Sequence, residues 1–234
     1  MFGCIVAMPA LGQSTTPASR SQSVDAKNIA PGFGGLLASD RLLLMPIDVE
    51  LFSLSAGGVA EPRADWTAQA LRHMNEAIRS RQRQARMVVV ELSDQQADDY
   101  SEQISLHAAV AQSIALHQFG GPMWALPTKA GKLDWSFGDA MQPLAEASDA
   151  QYALFFWVRD SYASAERVAM MVAMAALGIG ITGGVQIGYA SMVDLRNGQV
   201  VWFNQLTRPY GDLRQAEPAR ETIEALLSAF PAVR

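Results

Sequence analysis

The stretch Gly188-Tyr-Ala-Ser-Met-Val-Asp-Leu-Arg-Asn-Gly-Gln-Val-Val-Trp202 decides the fold. Two strand-like runs, Gln186–Leu195 and Gln199–Leu206, flank Asn197-Gly198. Asn-Gly between such runs predicts a β-hairpin, because a type I′ turn needs positive φ at both central residues. A two-residue loop sets Leu195 opposite Val200 and Val193 opposite Trp202, with those side chains on one face.

Upstream, the hairpin is continuous with a run of 26 residues, Val168 to Val193, that has no charged side chain. Charged residues make up 18% of the chain, so this run must be covered by a core, a partner or lipid. Its glycines are Gly178, Gly180, Gly183, Gly184 and Gly188. The composition predicts a short helix, Glu166–Leu177, then a glycine-rich turn, then the first hairpin strand. If the run were helical throughout, Ala176, Gly180, Gly184 and Gly188 would form one small-residue face, and Val168–Val185 would be long enough to cross a bilayer. Glycine is costly in helices in water, and Gly183-Gly184 marks a break. The candidate interaction segment comprises Val168, Met171, Val172, Met174, Gly178, Gly180 and Gly184. Packing in the core or on a partner, membrane insertion or self-association, and a mobile flap are the readings open for it.

Outward from this region the elements alternate. Arg41–Ile47 reads as a buried strand whose end Pro46 places at a sheet edge or bulge. A loop with Gly57-Gly58 and Pro62 follows. Asp65 reads as an N-cap, and Trp66, Leu71, Met74 and Ile78 give helical spacing to about Gln84. Arg79, Arg81, Arg83 and Arg86 crowd the C-terminal end of that helix, where positive charge suits the dipole; an anionic-lipid or phosphate patch is the alternative. Met87–Leu92 reads as a strand and Gln95–Gln118 as a long helix with Ile104, His107, Ala111 and Ile114 on one face. A tryptophan-bearing loop, Phe119–Gly138, and a short helix, Asp139–Ser148, precede Tyr152–Val158, whose unbroken apolar character predicts a central strand covered on both faces. A last helix carries Pro218 near its start and an Ile223, Leu226, Leu227, Phe230 stripe, and Pro231 stops it. The fold class is α/β: a mixed sheet of about five strands packed with helices, ending in a β-hairpin and a C-terminal helix. Residues 41–234 form one domain, with an apolar, glycine-rich insertion at 168–184.

The N-terminus differs from this body. Met1–Gly12 is short and apolar and ends in small residues, with Ala10 and Gly12 at −3 and −1 of a cleavage point before Gln13. That is the pattern of the end of a secretory signal. A signal opens on basic residues, and the first here is Arg20, so the reading requires residues upstream of Met1. Phe2-Gly3-Cys4 offers a second reading, with Cys4 as a lipidated residue; an apolar tail of no further meaning is the third. Gln13–Asp40, rich in Ser, Thr, Ala, Pro, Gln and Gly, reads as a flexible linker.

Several chemistries are disfavoured. A net charge of −5 argues against a general nucleic-acid binder. With Cys4 the single cysteine, an intrachain disulfide or cysteine-rich zinc site is impossible. Gly178-Ile-Gly180-Ile-Thr-Gly183 matches GxGxxG, but a strand, not a helix, is expected to leave it, so no dinucleotide site is inferred. Gly131-Lys132 is followed by Leu133, which fails the phosphate-loop pattern. His73, His107 and His117 lack the i, i+4 spacing of helical metal ligands. No metal and no cofactor is implied. Arg159, Asp160 and Tyr162, after Val158, form a candidate ligand loop, with a strand-end ion pair as the alternative.

The element order over residues 41–230, Tyr152–Val158, and the hairpin pattern of Asp194, Gly198, Val200 and Trp202 resemble the α/β domain of bacterial envelope lipoproteins. That group includes the curli-secretion lipoprotein, the penicillin-binding-protein activator lipoprotein and the TolB N-terminal domain. The resemblance implies a non-enzymatic envelope protein, periplasmic or associated with the outer membrane, that acts by protein binding or self-association, with membrane association a further possibility and no catalytic residues. Two alternatives stand beside it. One is a small-molecule-binding or hydrolytic α/β domain using the loop after Val158. The other is a membrane-inserting secretion or channel component.

Overall fold

The structure, a computed structural model, describes residues 27–83, 87–92 and 94–234. The signal-like segment, Cys4, most of the linker and Arg86 lie outside the described residues.

The apolar run at Tyr152 opens β5 (Tyr152–Ala163), the spine of a seven-stranded mixed sheet. Along one edge, β6 (Gln186–Asp194) pairs antiparallel from Tyr152↔Asp194 to Asp160↔Gln186, and β7 (Gln199–Arg208) pairs antiparallel with β6. The other edge is shared by β1 (Arg41–Leu44), parallel to Tyr152–Leu154, and β2 (Asp48–Leu54), parallel to Trp157–Ala163. Leu44 pairs with Leu154 and Asp48 with Trp157, so one extra residue bulges between the two strands. Pro46 sits in that bulge, where a missing N–H costs no ladder bond. Outside β2 lies β3 (Ala60–Pro62), antiparallel; outside β1 lies β4 (Val88–Glu91), parallel.

Alternate residues of β5 enter two cores, as period-2 side chains must. Leu154, Phe156 and Val158 pack under α1 (Ala64–Gln82) and α6 (Ala216–Leu226), with Met74, Ile78, Trp202, Ile223 and Leu226. Ala153 and Phe155 face α3 (Ser101–Ile114) and α4 (Gln142–Ser148), with Ile114, Leu133, Met141, Leu144 and Phe203. The expected double coverage of Tyr152–Val158 is therefore observed.

Several boundaries differ from expectation. α1 has Arg63, not Asp65, at its N-cap; Asp65 lies in the first turn, where its carboxylate suits the dipole and pairs with Arg63 at 3.2 Å. The expected long helix breaks at Tyr100 into α2 (Asp94–Asp99) and α3, and ends in a π-helical turn, Ala115–Phe119. β2 was expected as loop: it alternates, with Val49, Leu51 and Ser53 buried, while Asp48 and Glu50 interrupt the apolar signal. The end of the expected linker is packed rather than free. Ala30 donates to Val201 O at 3.0 Å, Phe203 donates to Asn28 O at 3.0 Å, and Leu36 is fully buried.

The hairpin forms with a different register. Val193, not Leu195, pairs with Val200, and Met192 pairs with Trp202 across a bulge. The loop is four residues long, Leu195–Gly198, and only Gly198 has positive φ (+68°). Asn197 instead accepts the Gln199 N–H at 2.9 Å through its side chain. The approach of the 135–138 segment selects this turn: Phe137 donates to Gly198 O at 2.8 Å, and a Cβ on residue 198 would meet Gly138 O at 2.2 Å.

Candidate functional site

Ser164 caps α5 (Ala165–Ala175), accepting the Arg167 N–H at 3.2 Å. The helix closes through Gly178, at φ +77°, with Ile179 N donating to Met174 O at 2.9 Å. That is a Schellman ending, which needs a left-handed residue at this point. An extended segment then runs to β6. The expected short helix, glycine turn and strand are thus observed. Ala176, Gly180, Gly184 and Gly188 do not share a helical face, and among the described residues no helix is long and apolar enough to cross a membrane. The GxGxxG run is left by a strand, as expected.

Among the described residues, none covers this segment. Between Ala165 and Val185, Arg167 is the single buried residue. Its guanidinium donates to Thr182 O at 2.8 and 3.0 Å and to Ser55 O at 3.3 Å, tying the returning chain and the β2–β3 turn to the helix. Val168 (49% exposed), Val172 (68%), Leu177 (74%) and Ile179 (47%) face outward. Met171 and Met174 are half-buried, Met171 lying against Gly183. Of the segment's glycines, Gly178 and Gly180 are exposed, whereas Gly184 lies where a Cβ would meet Ser161 O at 1.9 Å. The segment presents an uncharged surface along one helix and its return.

At its base lie the residues expected in a ligand loop, all of them inside β5. Arg159 faces away from Asp160 and Tyr162. It pairs with Asp48 at 2.7 Å and Glu50 at 3.5 Å and stacks over Trp157. Asp160 and Tyr162 share the other face and are hydrogen-bonded to each other. Asp160 also accepts from Gln186 Nε2 at 2.7 Å, and Gln186 Oε1 accepts from Arg208 Nε at 2.8 Å and Thr222 Oγ1 at 3.0 Å. The Gln186 amide thus spans a buried carboxylate and a buried guanidinium. The Leu213 N–H closes the network on Tyr162 Oη at 2.8 Å. Burial raises the Asp160 carboxyl above its ordinary range, against the hydrogen bonds from Tyr162 and Gln186. Burial, then Asp160, also raises the Tyr162 phenol. A cavity of about 240 Å³ between Tyr162, Gly184 and Tyr210 abuts this network.

The histidines lie elsewhere. His107 is buried beneath α3, 2.9 Å from Ser191 Oγ and stacked on Phe155. His117 contacts Trp124 O at 2.7 Å, and His73 is half-buried on α1. No cluster able to hold a metal ion occurs among the described residues. The tryptophan loop divides: Leu133 and Phe137 enter the core, whereas Met123 and Trp124 stay exposed. The α1 arginines Arg79, Arg81 and Arg83 are exposed at the helix end.

His107 gives a pH test of the fold. Desolvation lowers its pKa from 6.5 to about 3. Between those values the unfolded chain holds the extra proton, so stability falls as pH falls through this window. The expected loss is at most about 1.4 kcal/mol per pH unit below 6. Urea midpoints from pH 7 to 4.5 should fall more steeply in the wild type than in His107→Phe/Ser191→Ala, which removes both partners. Equal slopes would contradict a buried neutral imidazole.

Mixed sheet, two-sided core, outward-facing α5 and a fully bonded polar base define an α/β domain. No family model and no curated protein matches the chain. Among solved structures it is similar to the PelC dodecamer from Paraburkholderia phytofirmans, at 15% identity and a TM-score of 0.37, covering 85% of this chain and 93% of that one. It is also similar to the LpoB C-terminal domain from Salmonella enterica, at 16% identity and 0.27, covering 76% and 87%. A third is the lipoprotein GNA1162 from Neisseria meningitidis, at 14% and 0.29, covering 73% and 81%.

Proposed function

We propose that this is a non-enzymatic protein of the cell envelope that works by assembly, docking a second copy of itself through α5 and its return to β6. The observation that carries this reading is the exposure of an uncharged segment, residues 168–185, anchored at its root by Arg167. Water is a poor solvent for such a surface, and another copy offers a matching apolar face. α5 spans 11 residues, about 16 Å at 1.5 Å per residue, which suits contact better than crossing a bilayer. The envelope assignment rests on the resemblance carried by Asp194, Gly198, Val200 and Trp202.

Sedimentation velocity of the full chain over a range of concentrations tests the assembly. The wild type is expected to run larger than a monomer, and Val172→Asp/Leu177→Asp as a monomer. The melting temperature should barely change, because exposed substitutions shift stability by about 0.5 kcal/mol or less. A wild type that stays monomeric overturns the reading. So does a monomer that floats with vesicles through this segment, which would make it a membrane contact. Fractionation tests the compartment: uncleaved protein confined to the cytoplasm contradicts the envelope assignment.

A further inference from the structure

We propose that the groove between the C-terminal half of α1 and the chain's C-terminal tail binds a long-chain carboxylate amphiphile of the fatty-acid class, with Arg81 holding the head group. The groove encloses about 460 Å³, within the ~300–1,000 Å³ of small-molecule sites. Its floor is Leu42, Leu44, Leu154 and Phe156 of the sheet, and its walls include Ile78 and Phe230.

Among the described residues, two polar side chains, Arg81 and Gln82, line it. Gln82 is committed, donating to Glu91 at 2.8 Å. Arg81 has no hydrogen bond or ion pair among the described residues. Glu224, across the small cavity that Arg81 also lines, is engaged by Arg220. Among the described residues, the groove therefore offers an apolar channel lined by one guanidinium that no carboxylate pairs.

That chemistry selects the ligand. A peptide in the groove would bury backbone N–H and C=O groups with no partners among the lining side chains. An alkyl chain carries no such groups. A guanidinium is permanently charged and can hold a carboxylate through two parallel hydrogen bonds. Arg79 and Arg83, exposed at the same helix end, add to the positive field there.

Calorimetric titration of the full chain with sodium laurate, kept below micelle formation, tests the site. Saturable one-to-one binding is expected, with shifts in the methyl resonances of Met87, Leu154 and Val233. Arg81→Glu, an exposed position that should fold normally, is expected to weaken laurate at least tenfold and to leave 1-dodecanol binding nearly unchanged. Val172→Asp/Leu177→Asp should bind laurate like the wild type, which separates this site from the assembly surface. The proposal is overturned if the wild type shows no saturable laurate binding, or if Arg81→Glu binds laurate undiminished. Binding to phosphatidylglycerol vesicles without binding to monomeric laurate also overturns it, since the groove would then be a membrane contact.

Discussion

Trp202→Ala is expected to destabilise the protein by about 3–5 kcal/mol, the range for deleting a large buried aromatic. Trp202 is fully buried on β7. It pairs with Met192 across the hairpin and bridges Ile29, and its Nε1 donates to Ala229 O at 3.0 Å while its ring meets Phe230 edge-on. Residue 202 thereby joins the segment entering β1 through its backbone and the tail leaving α6 through its side chain. Trp202→Phe keeps most of the apolar contact and loses one hydrogen bond, so about 1–3 kcal/mol is expected. Urea denaturation gives both values. An alanine variant within about 1 kcal/mol of the wild type would mean that the tail does not pack on a buried ring.

Gln186→Leu is the second large effect, about 3–5 kcal/mol, because it leaves Asp160 and Arg208 buried without the group between them. Its pH dependence is distinctive. Asp160 already titrates above its ordinary 3.8 because it is buried, and losing the Gln186 hydrogen bond raises it further. A carboxyl whose folded pKa exceeds its unfolded one holds a proton that the unfolded chain has released, so stability is lost as pH rises. The penalty of Gln186→Leu should therefore be larger at pH 7 than at pH 4. Asp160→Asn in the same background should recover part of it by removing the unpaired charge. A penalty independent of pH would contradict the carboxylate–amide–guanidinium relay.

Much of this architecture was legible in the chain. Tyr152–Val158 announced a strand covered on both faces, because every side chain in it is apolar. The helix, glycine turn and strand of 166–195 followed from the cost of glycine within helices. Asn197-Gly198 announced a hairpin but gave the wrong register, since the turn is set by Phe137 and Gly138 approaching from 60 residues away in sequence. β2 was hidden because Asp48 and Glu50, which pair with Arg159 across the sheet, look like loop residues until the partner strand is known. The Asp160 network was half visible. Asp160 and Tyr162 stood out as a polar pair after an apolar run, but Gln186, Arg208 and Thr222 reach them only through tertiary pairing. Arg167 carried no signal beyond marking the edge of the uncharged run. Arg81 was visible only as one of four clustered arginines, because the groove beside it is assembled from α1, three strands and the tail.

The assembly reading stands or falls on whether anything covers α5. Hydrogen–deuterium exchange of the full chain at low and high protein concentration measures this directly. An uncovered one-helix element opens readily, and its amides exchange fast. The expected result is slowing across 168–179 as concentration rises, in the wild type and not in Val172→Asp/Leu177→Asp, with the amides of β5 unchanged. Fast exchange across 168–179 at every concentration would contradict the account.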